Sequence, residues 1–542
     1  MSKERARVFS GTLYNYLTLL LLVLLTAINT IVIANNIGNG LYGSFSIGTT
    51  LLDLLTGISY VGMSASLIRF VPDFLVRKKF GYVKTAVSTA SIVILLATGV
   101  LSVISFFAAP YIANNVFHNY WLTPVLQLLV LTFPLLSVNI IFGAILAAFQ
   151  RFGISMVMRV VDISVYFLFA FIFLGLGLSI VGVIYAFAIG YAFSGLFGFA
   201  FSLKEIRKRA KIDKGFKIFD SHLFREMFSF GKWDYGMSFI NLGFTRFNEL
   251  LIGVFLTIAT LGVYAIGQTF ASILGYIGSA LATTLNPYLS ELTAINMKKR
   301  VVNLMKTSTG YSLILSLLFS APLIVFSYQI FDAFFSQDFL LAVDPAKILI
   351  IGFVVSNISG PVGSYFFARK KLWVNFSILL VSLLTGVGLS VLLIPIFSMY
   401  GLNQAMGMIG AAIGLVYSGM QAMGMIGAAI GLVYSGMQAM GMIGAAIGLV
   451  FGWIVNAVLY AFFTKRYFKI NILEKKSAIS AALFVGGLLV LGLLTNIYFG
   501  LSVLGLVIFE VAVVFVYRRE LRSIAKTAEA YLLPSQKKVT SK

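Results

Sequence analysis

Runs of apolar residues recur along the chain from residue 11 to residue 517. Each is close to the about 20 residues that carry a helix across a bilayer. The pattern predicts spans at 11–33, 42–68, 85–108, 121–149, 158–176 and 178–202. A second set follows at 228–256, 259–289, 308–330, 346–368 and 372–394. Beyond an unusual apolar stretch at 396–463, two further spans are expected at 478–496 and 499–517. The first run carries no small-residue cleavage site, so it reads as a retained helix and not as a removed signal peptide. The expected fold class is an all-α polytopic membrane protein.

Composition excludes the alternatives. Of the 542 residues, 60% are hydrophobic and only 11% are charged, against roughly a quarter charged in a soluble domain. No water-soluble fold could bury that much apolar surface, and a chain with 50 Phe is not a disordered one. The absence of Cys excludes disulfides and thiolate sites, and two His alone argue against a zinc centre. The formal charge of +22 would point to nucleic acid in a soluble protein. Here the position of the charges gives it another meaning. Basic clusters fall at Lys3–Arg7, Arg69–Lys84, Arg151–Arg159, Lys204–Lys232, Lys298–Lys306, Arg369–Lys371, Lys465–Lys476 and Arg518–Lys542. The intervening loops near Asn36, Asn115, Gly177, Ala259, Tyr400 and Asn496 contain no Lys or Arg. Only Arg246 and Lys347 break the alternation. Because positive loops stay cytoplasmic on insertion, both termini are expected in the cytoplasm and the number of spans is expected to be even. The charge is then topology, helped by attraction to anionic lipid, and no nucleic-acid partner is expected.

The chain repeats itself at an offset of 219 residues. Tyr42-Gly-Ser-Phe-Ser-Ile-Gly-Thr-Thr50 aligns with Leu261-Gly-Val-Tyr-Ala-Ile-Gly-Gln-Thr269, so that Gly43, Ile47, Gly48 and Thr50 recur as Gly262, Ile266, Gly267 and Thr269. Both segments begin a helix that descends from the outer side. The repeat is therefore parallel, which sets two lobes around an axis along the membrane normal with a site between them. A second repeat is of another kind. A 17-residue unit starts at Gln404, returns unchanged at Gln421 and begins a third time at Gln438. Each copy holds a Gly-x-x-x-Gly pair such as Gly410 and Gly414, which lets helices approach closely. Between Lys371 and Lys465 there is no charge, so this stretch holds two spans or four. Four is the reading taken, for sixteen in total; fourteen is the alternative. The expected divisions are an N-terminal lobe at 1–202, a basic cytoplasmic linker at 203–227 and a C-terminal lobe at 228–463 with the repeats at 404–453. Two extra helices at 464–517 and a basic cytoplasmic tail at 518–542 complete the chain.

Charges inside spans mark candidate sites, since an ionised side chain at mid-membrane costs about 2.5–3.5 kcal/mol on insertion scales. Asp53 lies mid-way along the second span. Arg246 and Glu249 lie on one face of the seventh, three residues apart. They either neutralise each other or line a hydrophilic cavity in which Arg246 meets an anionic group. Arg69, Arg159, Asp162, Lys232, Asp234 and Glu291 fall near inner span ends, where side chains can snorkel to headgroups. Glu510 stands alone in the last span. Asn286-Pro287, Pro134, Pro361 and Pro395 are expected to bend their helices. No phosphate-binding Gly-x-x-x-x-Gly-Lys-Ser/Thr loop is present, so ATP hydrolysis is not expected.

Several motifs carry a family resemblance. Arg69-Phe-Val-Pro-Asp-Phe-Leu, followed by Lys78-Lys79, resembles the junction of the second and third helices in polysaccharide and oligosaccharide flippases of the multidrug/oligosaccharidyl-lipid/polysaccharide (MOP) exporter superfamily. Asn248-Glu-Leu-Leu-Ile-Gly-Val-Phe-Leu, Leu261-Gly-Val-Tyr and Pro287-Tyr-Leu-Ser-Glu-Leu resemble its seventh and eighth helices. Ile394-Pro-Ile-Phe-Ser-Met-Tyr-Gly with Ile409-Gly-Ala-Ala-Ile resembles the run between its eleventh and twelfth. The family often has an acid where Asn248 stands and a base after it; here Glu249 follows, and the triple copy is no family feature. The resemblance implies two six-helix lobes around a central cavity, plus two C-terminal helices. It also implies a non-enzymatic flippase that moves a lipid-linked oligosaccharide between leaflets of the cell membrane. No cofactor or metal is expected. The implied partners are the lipid-linked sugar, membrane lipids and glycan-assembly enzymes. Arg246, Glu249, Asp53, Arg69 and Lys232 are the candidate substrate-binding residues. A cation-coupled multidrug antiporter, with Asp53 or Glu249 as the ion acceptor, and a membrane glycan polymerase remain open alternatives.

Overall fold

The first two expected spans emerge as a single element, α1 (Lys3–Ser59), broken at Gly38 with φ 75° and ψ 170°. That backbone state is open to glycine and strained for a residue with a Cβ, so the break replaces a loop. In the computed structural model, the described residues are 3–209, 216–278, 297–369, 371–416, 422–470 and 475–518, with 285, 289, 292–293 and 521–522. Among them every regular element is helical. α1 leads through Gly62, also at positive φ, to α2 (Met63–Val76). α3 (Phe80–Tyr111), α4 (Leu122–Ala148), α5 (Phe152–Gly175) and α6 (Ser179–Arg209) complete the first lobe. The second begins with α7 (Ser221–Phe255) and α8 (Ile258–Ser272). α9 (Lys298–Val325), the short α10 (Ser327–Phe334), α11 (Val343–Ala368), α12 (Leu372–Val416) and α13 (Ala422–Phe468) follow. α14 (Lys475–Ile497) and α15 (Phe499–Val516) lie against α9. Eleven helices among the described residues are long and apolar enough to cross a membrane, and the chain is a multi-pass membrane protein. Asn286, Pro287, Glu291 and most of the expected tail at 518–542 lie outside the described residues.

The repeat region departs from expectation. The described parts of the stretch 372–468, Leu372–Val416 and Ala422–Phe468, form two long helices, not the four spans expected from the sequence. The physical reason is continuity: the copies hold no Pro and no charge, and each 17-residue unit reaches only about 25 Å, short of the roughly 30 Å slab. The copies therefore lengthen α12 and α13. The third copy shows what its glycines do. A Cβ on Gly444 would lie 2.6 Å from the Leu393 carbonyl oxygen, and one on Gly448 would lie 2.6 Å from the Ser390 backbone nitrogen. The two helix backbones touch along this small-residue stripe.

Lys347, which broke the loop alternation, is buried within α11 and paired. Its Nζ donates to Asn496 Oδ1 of α14 at 2.6 Å and lies 3.3 Å from Asp344 Oδ1. Asn496 Nδ2 donates back to Asp344. The lysine thus ties α14 to α11 of the second lobe. On the basic side, Glu205 of α6 is pinned between Arg151 and Arg209, each at 2.9 Å. This fastens the end of α6 before the linker.

Candidate functional site

α1 and α7 face one another between the lobes, and each brings polar side chains to that face. Arg246 of α7 reaches across to α1, its Nη2 lying 2.6 Å from Asp53 Oδ2. Its Nη1 donates to both Glu249 oxygens, at 3.0 and 3.1 Å. Thr50, one turn before Asp53 on α1, donates its hydroxyl to the same Glu249 carboxylate. Glu249 is almost wholly buried, whereas the Asp53 side chain keeps 37% of its surface and Arg246 28%. One guanidinium thus serves two carboxylates, one from each lobe. Arg246 and Glu249 are paired with each other, and Asp53 joins them from α1. Thr50 belongs to this group as well. Sequence reasoning noted it only as a repeated position.

The remaining candidates lie elsewhere. Arg69 is exposed at the basic-loop end, its guanidinium 4.0 Å from the centre of the Phe230 ring and 5.5 Å from that of Phe70, a cation–π arrangement. Arg225, Glu226 and Ser229 share its surface hollow. Lys232 is exposed on α7, about four turns before Arg246. Neither joins the Asp53–Arg246–Glu249 group. Asn248, which stands at the family's acidic position, packs inward and donates to the Ala445 carbonyl at 2.8 Å.

Asp162 corrects a sequence expectation. Its place near an inner span end predicts snorkelling to headgroups, yet it lines a cavity of about 240 Å³ between α1, α5 and α6, with Asn29, Thr30, Tyr42, Tyr166 and Tyr191. None of the lining residues is basic. Arg159, three residues earlier on α5, is exposed.

Glycine contacts bracket the charged group. A Cβ on Gly43 of α1 would collide with the Ile258 carbonyl, and one on Gly262 of α8 would collide with that of Asn39. Towards the basic-loop end, a Cβ on Gly62 would lie 2.6 Å from the Gly231 carbonyl carbon. Ser66 Oγ there donates to the Met227 carbonyl at 2.6 Å. The lobes therefore meet backbone to backbone on both sides of Arg246.

The start of α7 is fixed by Asp220, whose side chain accepts from the His222 and Leu223 amides at 2.9 and 3.1 Å, an N-cap. The Leu223 amide, then Lys217, holds its carboxylate below the usual range. Leu223 and Met227 then bury against α2 and α3.

Comparison with known proteins adds identity to this geometry. The profile of the family described as "Polysaccharide biosynthesis protein" matches residues 8–293. An uncharacterized membrane protein of Methanocaldococcus jannaschii is 25% identical over 445 residues, which covers 77% of this chain and 82% of that one. Among solved structures, the lipid II flippase MurJ in an inward closed conformation matches with a TM-score of 0.64 at 16% identity, over 94% of this chain and 99% of that one. The Vibrio cholerae MATE transporter VcmN (a D35N mutant) matches with a TM-score of 0.54 at 12% identity, over 85% and 98%. The chain belongs to the polysaccharide biosynthesis protein family and has the fold of the MOP exporter superfamily.

Proposed function

We propose that this protein is a flippase that carries a lipid-linked oligosaccharide from the inner to the outer leaflet of the cell membrane by alternating access, without catalysis. The observation that carries this reading is the Asp53–Arg246–Glu249 group, set between two lobes that touch through glycine backbones on either side of it. An ion pair bridging two bodies suits a carrier, because it can break on one side and re-form. In the closed arrangement Arg246 is fully engaged by carboxylates. When the lobes part, Asp53 leaves with the first lobe and Arg246 keeps only Glu249. A phosphate or pyrophosphate linkage, the anionic part of a polyprenyl-linked sugar, then takes the place of Asp53 on the guanidinium fork. Arg69 and Lys232, exposed at the basic-loop end, would raise the local concentration of such an anion. Both termini lie in the cytoplasm in this reading, in keeping with the alternation of basic loops.

An apolar cavity of about 210 Å³ between α1 and α8, lined by Val23, Ile31, Ile266, Phe270, Ile273 and Phe334 among others, gives an isoprenoid tail somewhere to lie beside the polar group. The experiment is delivery of lipid-linked sugar to the outer leaflet by Arg246→Ala at equal expression. Loss of delivery supports the role; unchanged delivery removes Arg246 from the site.

A second reading, cation-coupled antiport of a small organic compound, has one observation in its favour: Asp162 in a tyrosine-lined cavity without a basic lining residue. Loss of drug resistance on deletion, with surface glycans intact, would favour it over the flippase.

A further inference from the structure

A second polar cavity, of about 330 Å³, lies inside the C-terminal lobe between α7, α11, α12 and α13. It falls within the roughly 300–1,000 Å³ of small-molecule sites. No charged residue lines it; its polar groups are amides and hydroxyls, chiefly Asn241, Thr245, Asn375, Asn456 and Tyr460. Phe353 and Trp453 form one wall, their ring centres 4.7 Å apart and tilted by 44°.

The polar atoms there are incompletely used. Tyr460 donates its hydroxyl to Asn375 Oδ1 at 2.5 Å, while Asn375 Nδ2 meets only the Met237 sulfur at 3.1 Å, a weak acceptor. Asn456 and Ser359 line the cavity and are at least nine-tenths buried, and Asn456 Nδ2 and Ser359 Oγ meet no hydrogen-bond partner among the described residues. Leaving such groups unpaired costs about 1–3 kcal/mol each. A site that accepts this is built for a ligand with many hydroxyls. We infer that this cavity is a binding subsite for an uncharged sugar ring, with Asn456 and Ser359 hydrogen-bonding its hydroxyls and Trp453 covering its apolar C–H face.

The position supports the assignment. The cavity sits at the basic-loop end of the lobe: α11 ends one residue before Arg369, and the last turn of α13 holds Lys465 and Arg466. Thr245, in the cavity lining, directly precedes Arg246 on α7. Neighbouring positions on a helix point about 100° apart, so a single helix presents a charge to the lobe interface and a hydroxyl to the neutral cavity. This inference rests on the flippase reading: it divides the substrate into an anionic linkage at Arg246 and a neutral sugar behind α7.

The test uses the full chain in lipid nanodiscs, with D-glucose, D-galactose, D-mannose and N-acetyl-D-glucosamine as probes and D-glucuronate as the charged control. Binding is read by saturation-transfer NMR. It is also read by fluorescence quenching in a variant that keeps Trp453 and replaces Trp121, Trp233 and Trp373 by Phe. At least one neutral sugar is expected to bind saturably, with glucuronate weaker by about tenfold or more. Asn456→Leu is expected to weaken the neutral sugar by about tenfold, and Asn456→Gln to restore part of it. If Asn456→Leu fails to fold, Ser359→Ala takes its place. No saturable signal from any neutral sugar, or an unchanged one in Asn456→Leu, overturns the subsite. A parallel assay of polyprenyl-pyrophosphate-linked N-acetylglucosamine movement in liposomes separates the two claims. Movement unaffected by Asn456→Leu refutes the subsite alone. Sugar binding without movement refutes the flippase and leaves the subsite standing.

Discussion

Gly43 on α1 and Gly262 on α8 lie against each other, backbone to backbone, in the place where the two lobes meet. They are also the same position in the 219-residue repeat. Elements related by a two-fold axis meet their own counterparts at that axis, so this contact marks where the pseudo-symmetry axis runs. Gly48 and Gly267, another repeated pair, instead face inward in separate lobes, against Leu129 and Ala342 respectively.

From that contact follows a paired substitution. Gly43→Val is expected to hold α1 and α8 apart and to reduce delivery of lipid-linked sugar by roughly tenfold or more, since any Cβ there collides with backbone. Gly40→Ala, three residues earlier where a Cβ has open space, is expected to leave delivery intact and to favour the helix by up to about 1 kcal/mol. Equal effects of the two would contradict the contact.

Arg246→Ala leaves Glu249 buried without its ion-pair partner, a loss of about 3–5 kcal/mol. The double change Arg246→Ala with Glu249→Gln removes that mismatch. Thermal melts should show the double variant recovering much of the stability lost in the single one, while neither variant moves substrate. Recovery of transport in the double variant would show that the arginine is a structural counter-charge only.

The cap at Asp220 makes a pH prediction. Its carboxylate is held below the ordinary value by the Leu223 amide first. A lowered folded-state value stabilises the protein above the unfolded aspartate value of about 3.9. That stabilisation is lost as pH falls through the folded value. Asp220→Asn should therefore melt below the wild type at neutral pH, and the gap should narrow in acid, below the unfolded aspartate value of about 3.9. A gap that is the same at both pH values would contradict this.

Deleting residues 404–437 removes two copies of the repeat and leaves the third, whose glycines carry the contact with α12. The shortened protein is expected to fold and to deliver sugar as the parent does. Loss of folded protein on this deletion would show that the added length is structural.

The spans were legible in the sequence because the bilayer dictates them: each must hide its backbone polar groups in helix and its side chains in lipid. Arg246 and Glu249 could be paired on paper, since three residues along a helix share a face. Thr50 could not be joined to Glu249, 199 residues away, because the meeting depends on how α1 and α7 are rotated. The rotation of α5, likewise set by packing, turns Asp162 inward against expectation. The repeat gave Gly43 and Gly262 as equivalents, but only the packing of α1 on α8 brought them into contact. The helix count at 404–453 failed because charge alternation fixes the parity of spans and says nothing about where uncharged helices turn.

The central claim is that two lobes rock around the Asp53–Arg246–Glu249 group. It is tested most directly by spin-label distances across the lobes at both ends. Cysteines at exposed Asn36 and Ser336 report the side without basic loops, and cysteines at exposed Lys79 and Lys371 report the basic side; the absence of native Cys leaves the labels unambiguous. On addition of polyprenyl-pyrophosphate-linked sugar in nanodiscs, one distance should lengthen as the other shortens. Distances that move together, or neither moving during active transport, would contradict the account.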